Sequence, residues 1–275
     1  MRKVLAFVLL LFFVVASFFF YSQKNKKILS ASVASPIASP QPFASAPPSP
    51  TPSPTPSPLV KLSKSTYVIA AFGDSMVDTM GENLDYLDQA LRAKYPRTFF
   101  KMYNYGIGSQ NVAEGLSRVN NNLTYKERNF EPITKINADV IVLGSFSYNT
   151  FPSHDRSRHY STLIELVNKM KETGASVYLL AEIAPLSSGF GKGEHGVNWP
   201  EVDAHAQAQK IVEQIEDTIS VANNLGVSLI NAYSLSTVDG RFGNSSYVDG
   251  NDGIHPSVAG HVLMANTIAR TIKLK

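Results

Sequence analysis

The chain has 275 residues, 25 Lys+Arg against 22 Asp+Glu, and no cysteine. That length supports one sizeable core with accessory segments, and the missing cysteines exclude disulfides, thiolate catalysis and Cys-ligated zinc. Five bases and no acid fall in residues 1–58, so the remainder carries 20 bases and 22 acids, a net −2. It lacks the positive excess with which a protein holds a nucleic-acid backbone.

Residues 1–27 open with Arg2 and Lys3. Residues 4–21 are then apolar apart from Ser17 and the Tyr21 hydroxyl. As a helix this run is about 27 Å long, close to the thickness of a bilayer core. It exceeds the usual apolar stretch of a cleaved signal peptide, about 7 to 15 residues. An uncleaved membrane anchor is expected, with the rest of the chain outside the cytoplasm; cleavage would make the protein secreted. Residues 28–62 are rich in Ser and Pro, and ten of the 16 prolines lie between Pro36 and Pro58. Proline lacks an amide donor and fixes φ, so this stretch predicts an extended, solvated spacer.

Residues 63–275 form the predicted domain. Short apolar runs predict strands at 67–72, 99–104, 139–144, 176–181 and 227–231. They are apolar on both faces, as strands covered by helices are. Amphipathic periodicity predicts helices at 83–93, 112–123, 160–173 and 202–225, and Pro256 predicts the opening of a last helix to about Ile272. Five alternations of strand and helix predict an α/β fold, a three-layer α/β/α sandwich around a five-stranded, mainly parallel sheet. In such a sheet chemistry gathers in the loops at the carboxyl ends of the strands.

The first of those loops reads Gly73-Asp74-Ser75. Alone it fits a helix N-cap as readily as a reactive serine. The last reads Asp249-Gly250-Asn251-Asp252-Gly253-Ile254-His255-Pro256. Asp252 and His255, three apart, can pair a carboxylate with one imidazole nitrogen and leave the other facing outward, as a general base for a serine requires. Turn and helix-start roles also fit these two residues. An acidic calcium loop does not, because the glycine and distal glutamate spacing of an EF-hand is missing, and no metal is expected.

Together, Gly-Asp-Ser after strand one and Asp-x-x-His-Pro before the last helix resemble the SGNH (GDSL-type) hydrolase family, over roughly residue 67 to the C-terminus. The resemblance implies a flavodoxin-like fold with Ser75 as nucleophile, His255 as base and Asp252 as orienting acid. It also implies an oxyanion hole built from the Ser75 amide, a glycine amide after the second strand and an asparagine side chain after the third. Along Asn104-Tyr105-Gly106-Ile107-Gly108-Ser109 the donor falls on Gly108, with Ser109 as the register alternative. After the third strand the family has Gly-x-Asn-Asp. This chain has Gly144-Ser145-Phe146-Ser147-Tyr148-Asn149. Phe146 cannot donate, so Asn149, three residues on, is the candidate. No Gly-x-Ser-x-Gly elbow occurs, which disfavours the α/β-hydrolase alternative.

His154, His159, His195 and His205 are expected in solvated positions, and His261 elsewhere on the last helix. Loop 187–199, glycine-rich and holding the only Trp, is expected to form a substrate wall or lid, with Trp199 stacking on a sugar or anchoring the core. The expected reaction is hydrolysis of O-acyl esters, O-acetyl above all, through an acyl-enzyme and without a cofactor. Placement at the cell envelope suggests a carbohydrate polymer as substrate. A lysophospholipase or thioesterase, an O-acyltransferase of the same fold and a catalytically weak glycan-binding domain are the alternatives. The partners expected are the ester substrate and the membrane, with no nucleic acid, and the protein is expected to be a monomer.

Overall fold

The computed structural model describes residues 62–274. The predicted anchor and nearly all of the predicted spacer lie outside them. Among the described residues no helix is long and apolar enough to cross a membrane.

The chain enters at the amino end of β1 (Thr66–Gly73). A single helical turn, α1 (Ser75–Asp78), follows, then α2 (Asp85–Lys94), β2 (Phe99–Gly106) and α3 (Val112–Ser117). A hairpin of β3 (Leu123–Tyr125) and β4 (Arg128–Phe130) stands apart from the main sheet. Then come β5 (Val140–Gly144), α4 (Arg156–Lys171), β6 (Ser176–Ala181), α5 (Glu201–Leu225), β7 (Ser228–Asn231), α6 (Ala232–Ser236) and α7 (Val258–Thr271).

The main sheet has the order β2-β1-β5-β6-β7, with every pairing parallel. Strand side chains alternate between two cores. In β1, Ile69 and Ala71 face one side, and Ala70 and Phe72 the other. The first side is covered by Leu87 and Leu91 of α2, by Met264 and Ile268 of α7 and by the first half of α5. The second is covered by Val112 of α3, by Leu163, Leu166 and Met170 of α4 and by Val221 of α5. This is the expected three-layer sandwich, and its strands read as unbroken apolar runs because both faces are buried. Each fully buried Leu, Ile or Phe contributes about 1.5–3 kcal/mol.

The chain leaves β1 toward β2 on one side and returns to β5 on the other. The loops after β1 and β5 therefore diverge and open a crevice between them. Ser75 and Asn149 stand on those two loops.

Three expectations change. The helix expected over 112–123 stops at Ser117, and residues 123–130 form the hairpin instead. Asn120-Asn121-Asn122 interrupt the helix, and strands of three residues are too short to show alternation. The last helix is opened by Ser257, whose side chain accepts from the Gly260 amide. Pro256 instead pairs with Val248 as an isolated bridge. The helix expected from 160 begins at Arg156, capped by Asp155, because its first turn is polar and carries no apolar signal.

Candidate active site

Asp252 and His255 form a closed unit within one turn. His255 Nδ1–H donates to Asp252 Oδ2 at 2.7 Å. The other carboxylate oxygen accepts the amides of Ile254 at 2.7 Å and His255 at 2.9 Å. Burial of Asp252 opposes its ionisation, but the bond from the ring and the two amides outweigh burial and hold its pKa below 3.8. The carboxylate thus stays charged and fixes which ring nitrogen carries the proton. The turn is pinned in turn: Asp249 N–H donates to the His255 carbonyl at 2.8 Å, and Gly253 N–H to the Asp249 carbonyl at 2.8 Å.

On the opposite side, Ser75 is the first residue of α1. Asp74 caps that turn, its Oδ1 accepting the Met76 amide at 3.0 Å. Asp74 is buried, which pushes its pKa above the ordinary value despite the bonds it accepts. Its second oxygen accepts from Asn149 Nδ2 at 2.9 Å. Asn104 holds α1 from below, donating to the carbonyls of Val77, Asp78 and Gly81. A Cβ at Gly106 would strike the backbone of Asp78, so β2 and α1 approach this closely only with glycine there. The half-buried Arg118 donates to the carbonyls of Gly73 and Tyr105 and stacks on Phe72, tying the ends of β1 and β2 together. Burial lowers its pKa to about 9.

Ser75, Asp252 and His255 line one cleft of about 460 Å³. Gly108, Ser109 and Asn149 line it too. Every site residue read from the sequence is therefore brought to the same cavity. Two details refine them. The Gly108 N–H donates to the Tyr125 hydroxyl at 3.3 Å, and Tyr125 is not among the lining residues of the cleft. Ser109 has φ 62°, a conformation that glycine adopts most freely, and no bond among the described residues uses its amide. Phe146, at the position where the family carries asparagine, is fully buried against Phe72 and Gly115. Asn149 faces the cleft instead.

The remaining cleft wall was only partly legible. Loop 187–199 contributes Phe190, His195, Val197 and Trp199. Trp199 is 42 % exposed, so it is a wall residue and not a core anchor. The loop is stitched to the Asp252–His255 turn by Gly191 N–H to the Gly253 carbonyl at 3.0 Å and His195 N–H to the Asn251 carbonyl at 2.8 Å. It is a wall continuous with that turn. The hairpin supplies Lys126, paired with Asp78 at 2.7 Å at the cleft rim. Contrary to expectation, His159 is buried; His261 lies on the last helix, as expected, and is buried too. His159 Nε2 meets the Ser145 carbonyl at 3.0 Å, and His261 stacks on Tyr86 at 4.9 Å. His159 is followed at i+4 and i+7 by the buried Leu163 and Leu166, and His261 at i+3, i+4 and i+7 by Met264, Ala265 and Ile268, so each lies on its helix's apolar stripe and the spacing itself points to burial. Among the described residues no three His, Asp or Glu side chains gather as a metal ion would need.

Solved structures with the same fold include a lipase/acylhydrolase from Enterococcus faecalis. It is 21% identical, with TM-score 0.53, and the match covers 76% of this chain and 97% of that one. An acetylxylan esterase from Geobacillus stearothermophilus, solved as a catalytic mutant, is 15% identical with TM-score 0.53, covering 76% and 95%. A GDSL-like lipase from Bacteroides thetaiotaomicron is 14% identical with TM-score 0.52, covering 74% and 86%. A search of curated protein sequences returns no match. The family model described as GDSL-like Lipase/Acylhydrolase matches residues 69–268, most of the chain. The chain belongs to the GDSL-like lipase/acylhydrolase family and is a carboxylic ester hydrolase.

Proposed function

We propose that the protein is a serine esterase that removes O-acyl groups, acetyl above all, from carbohydrate at the cell envelope. His255 takes the proton of Ser75, whose oxygen attacks the ester carbonyl while Asp252 steadies the imidazolium. The alcohol leaves with a proton from His255, and water then hydrolyses the acyl-enzyme by the same route reversed. The developing oxyanion is met by the amides of Ser75 and Ser109 and by the side chain of Asn149, with Gly108 as the neighbouring alternative. Ser109 is preferred because the Gly108 amide is already engaged with Tyr125.

The observation that carries this reading is the shared cleft: Ser75 stands across it from a hydrogen-bonded Asp252–His255 pair whose free ring nitrogen has no other task. Asp78, Thr79, Lys126 and Gln207 give the cleft polar groups for a carbohydrate, and Phe190, Val197 and Ile254 give it an apolar wall for an acyl group, alongside the half-exposed Trp199. An indole face of that kind stacks on a sugar ring. The acetylxylan esterase is similar in fold, which makes an acetylated polysaccharide a natural first substrate to try. The envelope location rests on residues 1–27 as a membrane anchor and 28–62 as its spacer.

The test is an assay of the purified protein on p-nitrophenyl esters of increasing chain length and on acetylated xylo-oligosaccharides, with Ser75→Ala and His255→Ala alongside. Acetate release lost in both variants supports the reading. Activity rising with acyl length points to lipids, acetyl transfer to an added sugar points to an acyltransferase, and activity retained in Ser75→Ala ends the proposal.

A further inference from the structure

Ser145 is fully buried directly after β5, and every polar group it has is held. Its N–H donates to Glu182 Oε1 at 2.8 Å, and its hydroxyl is paired with Glu182 Oε2. Its hydroxyl oxygen accepts the Ser147 amide at 3.1 Å. Its carbonyl meets His159 Nε2 at 3.0 Å. A buried carboxyl from the end of β6 and a buried imidazole from α4 therefore clamp one residue, and four positions later the same loop delivers Asn149 into the cleft.

The clamp lies next to the serine loop. The space beside Gly144 is closed by Glu182 Oε1, by Val77 and by Gly73. Glu182 is fully buried and raises no charge-neutralising partner of its own; the nearest interacting carboxyl is Asp74. Nothing in the proposed chemistry uses Glu182, yet burying a carboxyl without purpose is costly.

We propose that Glu182 is a positioning residue: acting through Ser145, it sets loop 145–149 so that Asn149 meets both Asp74 and the reacting oxygen. This rests on the serine-esterase reading above. It accounts for the family's asparagine position being Phe146 here, because the clamp fixes a longer route from β5 to the donor. Burial first, and the neighbouring Asp74 charge second, push the Glu182 pKa up to about 8. Asp74 accepts the Met76 amide and the Asn149 side chain, and both bonds favour its charged form. The other titratable groups around them are Tyr148, bonded to the Ile183 carbonyl, Arg118 beside Asp74, and His159 across Ser145. Ionising Glu182 places a second buried charge beside Asp74 and loosens the loop. The result is a turnover that falls as pH rises through about 8.

The experiment measures kcat and KM of the full chain on p-nitrophenyl acetate from pH 6 to pH 9.5, for the parent, E182Q and E182A, with Ser75→Ala subtracted as background. Glutamine reproduces the neutral acid, accepting from the Ser145 amide and donating to its hydroxyl. E182Q is expected to keep most of the parent kcat at pH 7 and to lose the alkaline decline. E182A is expected to lose kcat on the order of 10- to 100-fold with KM little changed, as a misplaced donor does. An E182Q enzyme that keeps the same alkaline decline, or an E182A enzyme with parental kcat, overturns the proposal. If E182A does not fold, the E182Q profile decides alone. A parent without esterase activity is a different failure, that of the serine-esterase reading itself.

Discussion

Asn149 donates its side-chain amide to Asp74, the residue immediately before Ser75, at 2.9 Å. One bond thus joins the loop after β5 to the loop after β1, across the point where the order of strands in the sheet reverses. A side-chain amide has two N–H groups, so the bond to Asp74 leaves one for the cleft. Replacing Asn149 by Ala is expected to lower kcat about 100- to 1000-fold, the usual cost of one oxyanion donor, with a smaller change in KM. Steady-state kinetics on p-nitrophenyl acetate measure it; an unchanged kcat would remove Asn149 from the oxyanion hole.

The choice between Ser109 and Gly108 has its own test. If the donor is the Ser109 amide, the side chain is dispensable and glycine relieves a left-handed φ of 62°. Ser109→Gly is expected to retain activity and to gain up to about 1 kcal/mol of stability. Tyr125→Phe removes the hydroxyl that occupies the Gly108 amide and is expected to leave kcat nearly unchanged. A kcat raised about tenfold or more in Tyr125→Phe moves the role to Gly108.

Trp199 should separate binding from chemistry. It lines the cleft and is partly exposed. Trp199→Ala is expected to raise KM for acetylated oligosaccharides about 10-fold while leaving p-nitrophenyl acetate nearly unaffected, since only the larger substrate reaches it. Equal effects on both substrates would argue for a structural role.

His261 gives a stability prediction whose sign follows from burial. Burial first, and the His255 charge second, lower its pKa to about 4, against 6.5 for the free side chain. Between those values the unfolded chain binds a proton that the native state refuses. Stability contributed by neutral His261 is therefore complete above about pH 6.5 and declines as pH falls toward 4. His261→Phe, which keeps a ring against Tyr86, is expected to recover on the order of 2 kcal/mol of that loss at pH 4.5. Urea unfolding of parent and variant at pH 7 and pH 4.5 checks it. Parallel losses in both would assign the acid sensitivity elsewhere.

Phe146 fills the space between Phe72 and α3. Phe146→Ala is expected to destabilise the fold by about 3–5 kcal/mol, read as a lower thermal midpoint. Phe146→Asn, which restores the family's residue type, is expected to be no better, because the position points into the core.

What was legible in the sequence follows from what each signal records. The five strands were readable because burial on both faces leaves unbroken apolar runs such as residues 67–72, and α5 because 25 residues give periodicity room to show. The Asp74 cap beside Ser75 and the Asp252–His255 pairing were readable because in each case the partners lie close in sequence. The hairpin at 123–130 was not, since its stability comes from the buried Arg128, which reaches the Asn104 carbonyl and Asp78 far along the chain. The Glu182–Ser145 clamp was hidden for the same reason: 37 residues separate the partners, and only the β5–β6 pairing makes them neighbours. Burial of His159 and His261 was legible, since each continues the apolar stripe of its own helix at i+4 and i+7; a histidine's polarity masked that signal.

The amino end of β1 and the cleft lie at opposite poles of the sheet, because all five strands run the same way and the cleft sits at their carboxyl ends. A graft point is thereby built in. A purification tag, a carbohydrate-binding module or a bead surface joined ahead of Leu62 leaves the mouth of the cleft open. An attachment in loop 187–199 would block it.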